Sequence, residues 1–259
     1  MSRGPEAPLV DARSEGRVRV LTLRREAKLN ALSAALERAL AQALAHEEVR
    51  NAGCVVLTGS GRAFSAGADV GELRERTPEA VFRYYAASGA VYEHLAALPQ
   101  PTVSAIAGYC LGGGLELALA TDFRIADETA VFGFPEVGLG IVPSSGGTER
   151  ITRLLGPARA KELILLRGRI DAHEALAWGL VSEVVPAGEA LDRALTLAHE
   201  LAELPRLAAS VAKRAIDAVP ESSRATGILM ERLAYAMLAQ TEEAHAAAEV
   251  FEQRPRRRE

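Results

Sequence analysis

Residues 108–120 read G-Y-C-L-G-G-G-L-E-L-A-L-A, and residues 131–147 read V-F-G-F-P-E-V-G-L-G-I-V-P-S-S-G-G. Three glycines, Gly112 to Gly114, run directly into an apolar, helix-forming segment, Leu115 to Ala120. A loop that enters a helix leaves backbone N–H groups unpaired, and the helix dipole favours negative charge beside them. Glycine lets a ligand approach that backbone closely. The stretch therefore suits an anion, or an oxygen that becomes anionic during a reaction. On a helix beginning near Gly113, Glu116 falls on the first turn. A lone Glu in apolar surroundings is costly to bury ionised, so its pKa is expected to rise. A second solitary carboxylate, Glu136, lies in a similarly apolar loop punctuated by Gly and Pro. Two such carboxylates are equipment for general acid–base chemistry. The plainer alternative is that the glycines serve close packing and that Glu116 pairs with an arginine such as Arg124.

An upstream stretch, T-G-S-G-R-A-F-S-A-G-A-D at 58–69, has the same character. It follows an apolar run, Cys54 to Leu57, that reads as a buried strand. A small-residue loop after a strand is another place where backbone N–H groups can face a ligand. Around these stretches the pattern alternates. Residues 1–16 read as a loose arm. Arg17 to Leu23, Gly53 to Thr58, Pro101 to Ile106, Asp122 to Ala126 and Val181 to Val185 read as strands. Ser33 caps a helix to about Val49, with Leu32, Leu36, Leu40 and Leu44 on one face. Thr77-Pro78-Glu79 opens a helix to about Leu98. Gly156-Pro157 breaks one helix and starts the next. From Ala190 the chain is Ala/Leu-rich helix. An alternating α/β part over 1–190, followed by a helical region over 191–259, is the organisation these signals give.

The 259 residues allow one large or two small domains, long enough for a substantial core. Hydrophobic residues make up 49% and charged residues 25%, which places the chain among soluble globular proteins. A net charge of -4 gives no reason to expect nucleic acid or an anionic membrane as partner. The two cysteines, Cys54 and Cys110, lie in apolar runs and read as reduced core residues, consistent with a cytoplasmic location. No signal peptide and no apolar run of membrane-spanning length is visible.

Three stretches together resemble the enoyl-CoA hydratase/isomerase (crotonase) superfamily: A-F-S-A-G-A-D at 63–69, A-G-Y-C-L-G-G-G-L-E at 107–116, and F-G-F-P-E-V-G-L-G at 132–140. G-G-T-E-R-I-T-R-L-L-G-P-A-R-A at 146–160 and A-W-G-L-V at 177–181 continue the match, which extends from about Val18 to Arg254. The resemblance implies a crotonase-like spiral of ββα units whose helical C-terminal region makes trimer contacts, giving a homotrimer or a dimer of trimers. It implies that the backbone N–H groups of Ala68 and Gly113 form an oxyanion hole for the thioester carbonyl of an acyl-CoA. One such donor is typically worth roughly 2.7–4 kcal/mol in the transition state. Glu116 and Glu136 then hold one water between them. Glu116 takes its proton as it adds at the β-carbon, and Glu136 delivers a proton to the α-carbon. Coenzyme A contacts are implied for Lys28, Ala66 and Asp69, and for Phe251 with Arg254, an aromatic and a basic residue three apart. Coenzyme A enters as part of the substrate, so no cofactor is expected.

Retention of both glutamates favours a hydratase over an isomerase, since the isomerases generally lack the carboxylate at position 116. One departure stands out. Typical hydratases read P-G-A-G-G where this chain has Pro143-Ser144-Ser145-Gly146-Gly147. Ser144 places a hydroxyl beside the water and acyl chain, which points to a branched or functionalised acyl group. The alternatives are an isomerase or lyase on the same scaffold, and a non-catalytic acyl-CoA- or RNA-binding protein. Other chemistries fit less well. No GxGxxG follows a strand, and no Walker A lysine is present. Ala63-Phe64-Ser65-Ala66-Gly67 misses the first glycine of a hydrolase elbow. The five histidines lack metal-ligand spacing.

Overall fold

The computed structural model describes residues 8–72 and 77–252. The chain forms two compact units, Met1–Ala202 and Glu203–Glu259. In chain order the first unit begins with β1 (Val10–Glu15), β2 (Val18–Leu23), α1 (Ala34–Ala45), α2 (Glu47–Arg50), β3 (Cys54–Gly59), β4 (Ala63–Ser65) and α3 (Pro78–Ala96). It continues with β5 (Thr102–Ile106), β6 (Tyr109–Leu111), α4 (Gly113–Leu119), β7 (Phe123–Asp127), β8 (Val131–Gly133) and α5 (Gly147–Lys161). It ends with β9 (Ile170–Asp171), α6 (Ala172–Trp178), β10 (Glu183–Val185) and α7 (Ala190–Ala202).

Three successive units have the same plan. β3-β4-α3, β5-β6-α4 and β7-β8-α5 each place their first strand in a six-stranded sheet, ordered β1-β2-β3-β5-β7-β10. Each places its second strand in a four-stranded sheet, ordered β4-β6-β8-β9. Neighbouring units pair in parallel in both sheets. This is the spiral of ββα turns expected above.

The large sheet is buried on both faces, as parallel sheets are. The two-residue period of the strands assigns the faces. Val18 and Val20 of β2 and Cys54 and Val56 of β3 face one cluster; Leu21 and Leu23, and Val55 and Leu57, face the other. The first cluster is closed by Ala190, Ala194, Ala198 and Ala202, a four-residue stripe along α7 that lets this helix lie close to the sheet. The second is closed by Leu36, Leu40 and Leu44 of α1 and by Tyr92 and Leu95 of α3. Burying side chains of this size stabilises the fold by about 1.5–3 kcal/mol each, before conformational entropy is subtracted.

Several local expectations need correction. Residues 10–15 are not a loose arm but β1, paired antiparallel with β2 across a turn at Gly16. The alternation was obscured because β1 is the edge strand and most of its side chains are polar. The helix capped by Ser33 stops at Ala45, where His46 turns extended, and α2 restarts at Glu47. The strands of the small sheet are two or three residues long, too short for periodicity to reveal them. The break at Gly156-Pro157 is present inside α5.

The second unit contains α8 (Arg206–Ala218), α9 (Arg224–Leu238) and α10 (Glu242–Glu252). Ser223 caps α9, accepting from the N–H of Thr226 at 3.1 Å. Leu229, Leu233 and Tyr235 of α9 are exposed. No helix of the described residues is long and apolar enough to cross a membrane.

Candidate active site

Glu116 is 3% exposed and lies on the first turn of α4, where the Gly112–Gly114 run places it. Its Oε1 accepts two backbone hydrogen bonds, from the N–H of Ser145 at 2.7 Å and of Gly147 at 2.9 Å. Gly147 begins α5, so the carboxylate sits at a helix N-terminus whose unpaired N–H groups and dipole favour its charge. Burial raises the Glu116 pKa, while these N–H donors, the Arg150 charge and the Ser144 backbone pull it down. Arg150 donates from Nη1 to the Ser145 carbonyl at 3.0 Å and from Nη2 to Glu93 Oε1 at 2.6 Å. It therefore braces the loop that holds Glu116.

Glu136 opens a 3-10 turn, Glu136–Leu139, directly after β8. Its Oε2 is buried and has no hydrogen-bond partner among the described residues. Burial first, and the charge of Glu116 second, push its pKa up to about 7. Gly112 takes φ 51, and a Cβ there would lie 2.7 Å from Glu136 Oε1. The positive φ calls for glycine at 112, and a Cβ there would also push the Glu136 carboxylate aside. The two carboxylates found in sequence twenty residues apart are thus electrostatic neighbours in unlike settings.

The alternative partner for Glu116, Arg124, is engaged elsewhere. Its Nε donates to the Leu180 carbonyl and its Nη1 to the Thr121 carbonyl, both at 2.7 Å. Burial lowers its pKa to about 10.

The loop after β4 lies against the start of α4. A Cβ on Gly113 would sit 3.6 Å from the Ala68 nitrogen, and one on Gly67 would sit 3.4 Å from the Gly113 nitrogen. Neither the Ala68 nor the Gly113 N–H donates to a backbone carbonyl among the described residues. Ala66 donates to the Leu29 carbonyl at 2.9 Å. Asp69 forms an ion pair with Arg25 at 2.7 Å, and the hydrogen bond from that guanidinium holds the Asp69 carboxyl below its usual range. The Lys28 charge acts on Asp69 in the same direction. Lys28 is exposed in the turn Glu26–Lys28, and Ser144 is exposed in the loop before α5. Phe251 is 72% exposed on α10 of the second unit. Arg254 lies outside the described residues.

Sequence reasoning missed Ser145 and Gly147 as the donors that hold Glu116, and Arg150 as the group that braces their loop. Gly146-Gly147 opening α5 carries the same glycine-into-helix signal as Gly112–Gly114, and reading it there finds Gly147. Asn30 and Ser65 left no such signal, because the acceptors of their side-chain donors are backbone carbonyls distant in sequence.

Comparison with known proteins identifies the family. The family model described as Enoyl-CoA hydratase/isomerase matches residues 13–257. The chain is 43% identical over 231 residues to a probable enoyl-CoA hydratase of Rhizobium meliloti, covering 89% of each. It is 38% identical over 240 residues to the 2,3-dehydroadipyl-CoA hydratase of Escherichia coli, covering 92% of this chain and 93% of that one. The crystal structure of an enoyl-CoA hydratase from Bacillus anthracis superposes with a TM-score of 0.89 at 37% identity, over 95% of this chain and 96% of that one. With two glutamates of unlike environment set in a ββα spiral of this kind, the chain belongs to the enoyl-CoA hydratase/isomerase family.

Proposed function

We propose that the protein adds water reversibly across the 2,3-double bond of a 2-enoyl-CoA, giving the 3-hydroxyacyl-CoA. The observation that carries this is the unlike setting of the two glutamates. Burial raises the Glu116 pKa, and the two backbone N–H bonds it accepts at the start of a helix oppose that rise by stabilising the carboxylate. Glu136 has a buried oxygen with no partner among the described residues, and its pKa, pushed up to about 7, keeps a substantial share of it protonated near neutrality. A base and an acid are thereby supplied by one residue type.

In this reading the thioester oxygen accepts from the N–H groups of Ala68 and Gly113. Polarisation makes the β-carbon electrophilic. The water oxygen bonds to that carbon while Glu116 takes a water proton. Charge moves onto the thioester oxygen, where the two N–H groups stabilise it. Glu136 then gives its proton to the α-carbon, and the carbonyl re-forms. The pair ends with the proton on Glu116 in place of Glu136, and dehydration runs the same steps backwards. The two groups titrate as a coupled pair.

Lys28, Ala66, Asp69, Phe251 and Arg254 are assigned to coenzyme A contacts, and Ser144 to the acyl pocket. Coenzyme A carried by the substrate is the only cofactor invoked. The exposed apolar residues of α9 support burial against further copies, as a homotrimer or a dimer of trimers. We place the reaction in cytoplasmic fatty-acid or related acyl-CoA degradation.

The test is loss of enoyl-thioester absorbance when the purified protein meets crotonyl-CoA. Rapid loss with 3-hydroxybutyryl-CoA as product supports the reading. Binding of crotonyl-CoA without turnover directs the search to branched and carboxylated 2-enoyl-CoAs, prompted by Ser144. Conversion of 3-enoyl-CoA with no net water addition overturns the hydratase assignment in favour of an isomerase.

A further inference from the structure

Asn30 and Ser65 take no direct part in that reaction, yet both are polar and both are 0% exposed. Asn30 Nδ2 donates to the carbonyls of Ser60 at 2.9 Å and Ala63 at 2.8 Å, and its Oδ1 accepts from the Arg25 N–H at 2.8 Å. Ser65 Oγ donates to the Asn30 carbonyl at 2.9 Å and accepts from the Gly67 N–H at 3.2 Å. The surrounding backbone is laced to the same turn. Ala66 donates to Leu29, Leu32 to Gly67, and Asp69 to Leu32, at 2.9, 2.8 and 2.9 Å. In the run Ala66–Asp69, only the Ala68 N–H lacks an acceptor among the described residues.

Ser65 also lies against the start of α4, next to Gly113. A Cβ on Gly114 would lie 2.5 Å from the Ser65 carbonyl oxygen and 2.8 Å from Ser65 Cβ. One residue thus touches both the Ala68 loop and the start of α4. The turn that receives these bonds is itself held out of its preferred conformation. Leu29 and Asn30 have φ of 51 and 53, the left-handed region that non-glycine residues seldom adopt. Such conformations persist where the surroundings over-determine them, and they cluster at functional sites.

We propose that Asn30 and Ser65 are positioning residues that fix the direction of the Ala68 N–H and its separation from the Gly113 N–H, and so set how strongly the site polarises an acyl carbonyl. This rests on the reading of those two N–H groups as the donors to the thioester oxygen. The experiment uses a para-amino-cinnamoyl-CoA, whose absorption band moves to the red when its carbonyl oxygen is polarised. The wild-type protein is expected to shift the band. Ser65→Ala and Asn30→Asp are expected to lose at least half of that shift. Their kcat on a turned-over enoyl-CoA should fall about tenfold with KM changed less than about twofold, since misdirection of a donor affects the transition state more than binding.

A merely structural role lowers the melting temperature and leaves the band of the folded protein where it was. Folded Ser65→Ala with the wild-type band and wild-type kcat overturns the proposal. Should Asn30→Asp not fold, Ser65→Ala decides alone, since it removes one oxygen and no carbon. Absence of a shift in the wild-type complex sinks the donor assignment itself, which separates that failure from the failure of the positioning role.

Discussion

A Cβ on Gly147 would sit 2.7 Å from Glu116 Cγ and 2.8 Å from Glu116 Oε1, so these two residues meet with no room for a side chain between them. The same glycine donates its N–H to that oxygen. Gly147→Ala must displace the carboxylate or the start of α5. Misplacement of a catalytic group by about 1 Å can cost roughly a hundredfold in rate. The expected result is a drop in kcat of that order with coenzyme A binding retained, read by steady-state kinetics beside a direct binding titration.

Glu116→Gln and Glu136→Gln each remove one proton-transfer group while keeping the side-chain shape. General acid–base groups contribute about a hundredfold to ten-thousandfold. Hydration of a good substrate should fall within that range in each variant, and coenzyme A should still bind. Near wild-type turnover in either variant would show that its glutamate is not the acid or base assigned here.

The pKa of Glu136 near 7 has two measurable consequences. As the proton donor in hydration, Glu136 must be protonated, so activity should decline as pH rises through about 7. Its folded pKa lies above the ordinary value of 4.5, so the stability it contributes is fully present below 4.5 and is lost as pH rises through about 7. Glu136→Gln escapes that loss. Its melting temperature should exceed that of the wild type by a margin that grows with pH between these limits. A margin independent of pH would mean that Glu136 does not titrate with a raised pKa.

Arg150 holds the Ser145 carbonyl, and its charge is one of the influences that keep the Glu116 pKa from rising further. The ionisable groups acting on this point are Glu136 from the turn after β8, Arg150 from α5, and Glu93 of α3 through Arg150. Arg150→Gln should raise the Glu116 pKa, so the acidic limb of the pH–rate profile moves to higher pH. Arg150→Lys should move it less. An unchanged limb in Arg150→Gln would reduce Arg150 to a packing role.

Much of this protein is determined by sequence alone. Glycines before a helix expose N–H groups, a short uninterrupted apolar run gives a strand buried on both faces, and a lone glutamate in apolar surroundings has a raised pKa. Each is a local property of the chain, and each is legible at Gly112–Glu116, Cys54–Leu57 and Glu136. Tertiary structure alone decided which groups meet. That Glu116 takes its donors from Ser145 and Gly147 rather than pairing with Arg124 depends on α5 starting beside α4. That Asn30 fixes the loop at Ala63–Asp69 depends on a left-handed turn across thirty residues of chain. The short strands of the second sheet are specified by their neighbours, since two or three residues carry no period of their own, and β1 by its pairing with β2, since its edge side chains are mostly polar. Hydrogen bonds between distant backbone groups leave no trace in residue type, because every residue but proline offers the same N–H and C=O.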